Sequence, residues 1–162
     1  MRDCDAVGEK NQVKAKVLFL CTGNSARSQM AEGFLRRYAG DQYEVLSAGT
    51  KPSKLNPLAV EAMREIGIDI SHQHSKDVAE FLGTPIQYLI TVCDRAKESC
   101  PIFPGAFEFL SWSFDDPAEA QGTHDEKLAV FRRVRDQIGE RIQKEFLKAA
   151  LVEEDDWLRA IE

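Results

Sequence analysis

Val17-Leu18-Phe19-Leu20-Cys21-Thr22-Gly23-Asn24-Ser25-Ala26-Arg27-Ser28-Gln29-Met30 is an apolar run that stops at a cysteine, turns through small residues and enters a helical pattern. The four residues Val17 to Leu20 are too few for a helix and suit a strand buried on both faces. From Ser28 the apolar Met30, Phe34 and Leu35 recur at helical spacing among Ala31, Glu32, Arg36 and Arg37, and Gly40 supplies a stop. The turn therefore lies at a helix N-terminus, where unpaired backbone N–H groups and the positive dipole end suit a tetrahedral oxyanion. Gly23 is expected to allow the tight turn, and Arg27 to grip two anion oxygens with its planar fork. The same field favours a thiolate, so Cys21 is expected well below the free value of about 8.5 and nucleophilic, with Ser28 donating to it. A lone strand-end cysteine is more commonly an inert core residue; the turn and helix that follow Cys21 weigh against that. No Gly-Lys-Ser/Thr follows the turn, so this is not a nucleotide phosphate loop.

Outward from this stretch, residues 1–13 lack periodicity and read as a leader whose Cys4 has no specific task. Tyr43 to Ala48 reads as a second strand, and Asn56-Pro57 caps and starts a helix that ends at Gly67. A short helical piece follows around Asp77 to Leu82. Tyr88 to Cys93 is a third strand that also ends in a cysteine, with a short helix over Asp94 to Ser99 after it. Phe107 to Phe114 makes a fourth strand, followed by Asp115-Asp116-Pro117, which on residue types alone is a plain turn. From Asp125 to Phe146 runs a long amphipathic helix in which Gly139 is a mild defect. Residues 151–162 form an acidic tail. Strands alternating with helices predict one α/β domain over residues 14–150, a three-layer, four-stranded parallel sheet with helices on both faces and right-handed crossovers. In such a sheet ligands gather beyond the strands' carboxyl ends, so Cys21 and Cys93 face one crevice if their strands are neighbours.

With 162 residues, 43% hydrophobic and 30% charged, the chain is long enough for a single core. It has no apolar run of membrane-spanning length and no signal-peptide pattern, so a cytoplasmic, monomeric protein is expected. A net charge of −6 argues against nucleic acid as partner. The four cysteines, Cys4, Cys21, Cys93 and Cys100, read as redox or catalytic thiols rather than a disulfide framework. His72, His74 and His124 read as surface or core residues, with no metal site.

Several of these motifs, in order, resemble the thioredoxin-coupled arsenate reductases, which share the low-molecular-weight tyrosine phosphatase fold. They are Cys21-Thr-Gly-Asn-Ser-Ala-Arg-Ser-Gln-Met-Ala-Glu-Gly33, Ser47-Ala-Gly-Thr50, Leu55-Asn-Pro57, Ile66-Gly-Ile-Asp-Ile-Ser71, Cys93 with Cys100, and Trp112-Ser-Phe-Asp-Asp-Pro-Ala118. The likeness spans roughly Lys16 to Ala150. It implies that Cys21 is the nucleophile, Arg27 the oxyanion-binding arginine, Ser28 the hydroxyl steadying the thiolate, Asn24 a structural loop residue and Asp116 the general acid. Thr22, Gly23, Asn24, Ser25, Ala26 and Arg27 would cradle arsenate, or phosphate or sulfate as analogues. Cys93 and Cys100 would be the relay pair, ending in a disulfide reduced by thioredoxin, by glutaredoxin or by a low-molecular-weight thiol, with no bound cofactor. A helix through residues 94–99 would hold the relay thiols about 10 Å apart at helical rise, beyond the roughly 7 Å a disulfide spans, so this segment is expected to unwind on oxidation.

Three positions depart from the family pattern. Ala26 stands where many relatives carry a second loop cysteine, which does not stop the chemistry. Gln29 replaces the proline usual in the phosphatases and favours the reductases. Some relatives bind potassium through residues matching Asn24, Glu32 and Ser47 with an aspartate; Lys76 stands in the aspartate's place, next to Asp77, and its ammonium is expected to substitute for the cation. Two competing readings remain: a phosphatase using Cys21, Arg27 and Asp116, for which Cys93 and Cys100 are incidental, and a thiol switch or oxyanion sensor without turnover.

Overall fold

The computed structural model describes residues 14–98 and 108–147. The leader with Cys4, the acidic tail, Ser99 and Cys100 lie outside the described residues. Four strands, β1 (Ala15–Cys21), β2 (Tyr43–Gly49), β3 (Tyr88–Thr91) and β4 (Glu108–Ser111), form one parallel sheet in the order β2-β1-β3-β4. The helices are α1 (Arg27–Ala39), α2 (Pro57–Arg64), α3 (Asp94–Glu98) and α4 (His124–Ile142). Among the described residues no helix is long and apolar enough to cross a membrane.

Successive strand side chains point to opposite faces, and Val17 through Leu20 are all fully buried, so β1 is covered on both sides. That is the burial its uninterrupted apolar run requires. The register pairs Leu20 with Thr91, and Val92 N donates to Leu20 O at 2.9 Å, so Cys21 and Cys93 leave the sheet at one edge on adjacent strands. Neighbouring strands lie about 4.8 Å apart, which brings both cysteines to one crevice.

Several boundaries are corrected. The β3 ladder stops at Thr91 rather than Cys93, and β4 ends at Ser111 rather than Phe114, while Phe107 lies outside the described residues. Trp112 and Phe114 extend the apolar run beyond the ladder because they join an aromatic cluster: Trp112 packs on Phe19, Phe114 and Phe146. α2 ends at Arg64, short of Gly67. The piece near Asp77 is a 3-10 turn, Val78–Phe81, capped by Asp77, and α4 gives way to a π turn over Gln143–Leu147. Gly139 is no defect, since a Cβ there would lie 2.8 Å from the Phe34 ring; the missing side chain lets α4 pack closely on α1.

Candidate active site

The loop between β1 and α1 has its carbonyls tied down from outside. Thr50 N donates to Cys21 O (3.1 Å), Lys51 N to Thr22 O (2.8 Å), Ser53 N to Gly23 O (2.9 Å) and Asn56 N to Ser25 O (2.9 Å). Asn24 O accepts from Ser75 Oγ at 2.7 Å and Gln29 Nε2 at 3.0 Å. Planar peptides whose carbonyls face outward turn their N–H groups inward, so the loop offers amides to whatever occupies its centre. Ala26, the residue before α1, has no side chain that could cap the helix, which leaves those donors for an anion. Gly49 makes the close support possible, because a Cβ there would meet Thr22 O at 2.5 Å. The left-handed residue of the turn is Asn24, at φ 49°, and not Gly23 as expected.

Behind the loop, hydrogen bonds of fixed polarity converge on the cysteine. The Asn24 side-chain oxygen accepts from the backbone N–H of Lys76 at 2.9 Å, which obliges its amide nitrogen to donate. That nitrogen donates to Ser28 Oγ at 2.7 Å and to Ser47 Oγ at 3.0 Å. Ser28 Oγ lies 2.8 Å from Cys21 Sγ in a hydrogen bond that either atom can donate, and Asn24 N donates to the sulfur at 3.1 Å. Cys21 is nevertheless only 2% exposed. Burial pushes its thiol above the ordinary value, while Ser28, Asn24 and the Arg27 charge pull the other way. The expected depression is therefore corrected: the anticipated donors are present, but desolvation outweighs them.

Six residues give the character of a cavity of about 380 Å³ above the loop: Cys21, Arg27, Cys93, Arg95, Phe114 and Asp116. Thr22, Gly23, Ser25 and Ala26 complete its floor, whereas Asn24 is fully buried behind it and acts through its amide and side chain. Among the described residues, no thiol lines a larger hollow of about 950 Å³ between Ser113–Asp115 and the end of α4. Arg27 crosses the cavity mouth, with Nη1 donating to Phe114 O at 3.0 Å and Nη2 3.5 Å from Asp116 Oδ2. Asp116 also caps the 3-10 turn Pro117–Glu119, accepting from Ala118 N at 3.0 Å. Cys93 is a free, buried thiol whose sulfur lies 3.4 Å from Thr22 Oγ1 and 3.4 Å from the donating Ala96 N of α3.

Glu32, Ser47 and Lys76 meet on the loop's far side. Ser47 Oγ donates to Glu32 Oε1 at 2.6 Å, and Lys76 Nζ lies 3.7 Å from the same oxygen while donating to His74 O at 2.8 Å. The adjacent Asp77 points away and caps its own turn, accepting from Ala79 N. Sequence reading missed Thr22 as the partner of Cys93, Phe114 O as the acceptor for Arg27, and Gln73, whose Nε2 donates to Gln29 Oε1 at 2.7 Å. No periodicity marks such contacts between distant segments.

The family model for low molecular weight phosphotyrosine protein phosphatase matches residues 16–156. An arsenate reductase of Halalkalibacterium halodurans is 52% identical over 130 residues, covering 80% of this chain and 94% of that protein. A solved arsenate reductase in the phosphate binding state superposes with a TM-score of 0.72 at 35% identity, over 83% of this chain and 98% of the other. A thioredoxin-dependent arsenate reductase of Corynebacterium glutamicum gives 0.68 at 30% identity, over 91% and 67%. With a small-residue loop, its buried cysteine and a second thiol in one cavity, the chain belongs to the low molecular weight phosphotyrosine protein phosphatase family and, within it, to the arsenate reductases.

Proposed function

We propose that this chain reduces arsenate to arsenite through the thiols Cys21, Cys93 and Cys100, acting as a cytoplasmic monomer with thioredoxin as electron donor. The observation that carries the reading is the second free thiol, Cys93, lining the same cavity as the loop cysteine. Hydrolysis of a phosphomonoester has no use for it. Thioredoxin as donor is supported by the thioredoxin-dependent relative from Corynebacterium glutamicum.

The loop amides and Arg27 hold the arsenate dianion, and the Cys21 sulfur attacks arsenic. The thiol proton is the one the departing hydroxide needs, and Asp116 at the cavity mouth carries it across, so water leaves and a Cys21 sulfur–arsenic bond remains. Cys93 then attacks the Cys21 sulfur. A disulfide forms, the sulfur–arsenic bond breaks with its electron pair going to arsenic, and As(V) becomes As(III). Cys100 attacks Cys93, frees Cys21 as a thiol and moves the disulfide away from the loop, where an external dithiol reduces it. Because α3 follows Cys93 directly, this last step is expected to unwind that helix or loop the segment out.

The test is arsenite release in the presence of thioredoxin, thioredoxin reductase and NADPH. Cys100→Ser should give a single turnover per chain and then stop; continued turnover by that variant rejects the part assigned to Cys100, and no arsenite release by the unaltered chain leaves the phosphatase reading. Lys76 supplies the cation beside Glu32 that some relatives take from solution. Exchanging sodium chloride for potassium chloride at constant ionic strength is therefore expected to leave turnover unchanged, and strong activation by potassium would count against that role.

A further inference from the structure

The polar groups behind the loop do not end at Asn24. Asn24 Nδ2 donates to Ser47 Oγ (3.0 Å), and Ser47 Oγ donates to Glu32 Oε1 (2.6 Å). The other Glu32 oxygen lies 2.7 Å from Arg36 Nη1, and the same nitrogen reaches Gln73 Oε1 at 3.3 Å. Gln73 Nε2 donates to Gln29 Oε1 (2.7 Å), and Gln29 Nε2 returns to Asn24 Oδ1 (3.1 Å). The path closes on itself.

We propose that Arg36 and Gln73 are positioning residues for the Cys21 nucleophile, closing a ring of six side chains that holds the Asn24 carboxamide in the orientation that donates to Ser28 Oγ, the hydroxyl hydrogen-bonded to the sulfur. Every member has a dictated polarity. Arg36 is a donor only, so it takes the oxygens of Glu32 and Gln73 and leaves the Gln73 amide nitrogen to serve Gln29. Gln29 Nε2 also donates to His74 O at 2.9 Å, which fixes its own orientation. The Glu32 carboxylate is an acceptor and holds the Ser47 proton, leaving the Ser47 oxygen to Asn24.

Asn24, Ser47, Gln29, Glu32 and Gln73 are buried, and Arg36 alone reaches solvent, with 44% of its side chain exposed. Its removal leaves the Gln73 oxygen without that donor, and Glu32 with Lys76 at 3.7 Å as its remaining cation. A partly satisfied buried network loses the geometry it was built to hold. Arg36 lines no part of the cavity, so its effect on Cys21 is indirect, and the uncharged Gln73→Ala separates an effect of the ring from the loss of a charge.

The proposal rests on Cys21 being the nucleophile but not on arsenate being its substrate, so the experiment reads Cys21 directly. Iodoacetamide alkylation is followed peptide by peptide across pH in the full chain, for Arg36→Ala, Gln73→Ala, Ser28→Ala, the Arg36→Ala/Ser28→Ala double variant, and Arg37→Ala as an exposed neighbour. Arg36→Ala and Gln73→Ala are expected to move the Cys21 profile to higher pH and slow alkylation at neutral pH by about threefold to tenfold, the range of coupling within one network. Arg37→Ala should leave it in place. In the Ser28→Ala background the effect of Arg36→Ala should shrink, because the Ser28 arm of the route is cut and only the Asn24 N–H donor still reaches the sulfur. An Arg36→Ala effect as large in the Ser28→Ala background as in the unaltered chain overturns the proposal, and so does a lowered Tm with an unmoved Cys21 profile. Failure of arsenate turnover in the unaltered chain leaves these outcomes untouched.

Discussion

Cys93→Ser is expected to abolish arsenate reduction while sparing phosphoester hydrolysis. The substitution is small: the side chain is 5% exposed, and a serine oxygen can keep the contacts that the sulfur makes with Thr22 Oγ1 and Ala96 N. The fold should therefore survive, and the loss is chemical. Without a thiol the Cys21 arsenic adduct has no sulfur to accept its sulfur in a disulfide, and arsenic cannot take the electron pair. Turnover should fall by roughly three orders of magnitude or more, the scale of losing an essential nucleophile. Hydrolysis of p-nitrophenyl phosphate calls on Cys21, Arg27 and Asp116 and should continue at the unaltered chain's rate. Arsenite release measured beside phosphate release decides it: loss of both assigns Cys93 to the fold, and loss of neither removes the relay.

Much of this site was legible in the residues. The run from Val17 to Leu20 could be satisfied only by a strand covered on both faces, and a small-residue turn followed by helical spacing put Cys21 at a helix N-terminus. Because β1 and β3 are parallel neighbours, two cysteines written at two strand ends came to share one crevice. What stayed illegible depended on contacts between segments far apart in the chain. The Cys21 environment read as purely electropositive from its neighbours, yet its low exposure is set by residues the loop sequence does not contain, and burial reverses the net direction. The turn was assigned to Gly23 on residue type, whereas Asn24 takes the left-handed backbone because Gln29, Ser75 and Lys76 hold its amide groups there. The apolar continuation through Trp112 and Phe114 looked like strand for the same reason: aromatic packing and ladder pairing leave one signature in composition. Gln73 and Arg36 carried no signal, since their ring becomes visible only once β2, α1 and the segment before the Val78–Phe81 turn lie side by side.

Asp116→Asn separates binding from chemistry, and its two effects have opposite signs. In the structure Arg27 is shared between Phe114 O at 3.0 Å and the Asp116 carboxylate at 3.5 Å, so an incoming oxyanion must draw the guanidinium away from a negative partner. Asparagine keeps the side-chain oxygen that caps the turn through Ala118 N but removes the charge. Arg27 is then freer to turn into the loop, and one negative charge beside a dianion is gone, so phosphate should compete with arsenate at lower concentration than in the unaltered chain. The amide cannot hand a proton to the departing hydroxide. The turnover number is expected to fall by about 10²- to 10⁴-fold, the span of general acid–base assistance, while the inhibition constant for phosphate stays level or drops. Steady-state kinetics with phosphate as inhibitor measures both. Weaker phosphate binding in the variant would show that Asp116 orders Arg27 for the anion rather than competing with it, and unchanged turnover would move the proton transfer to another group.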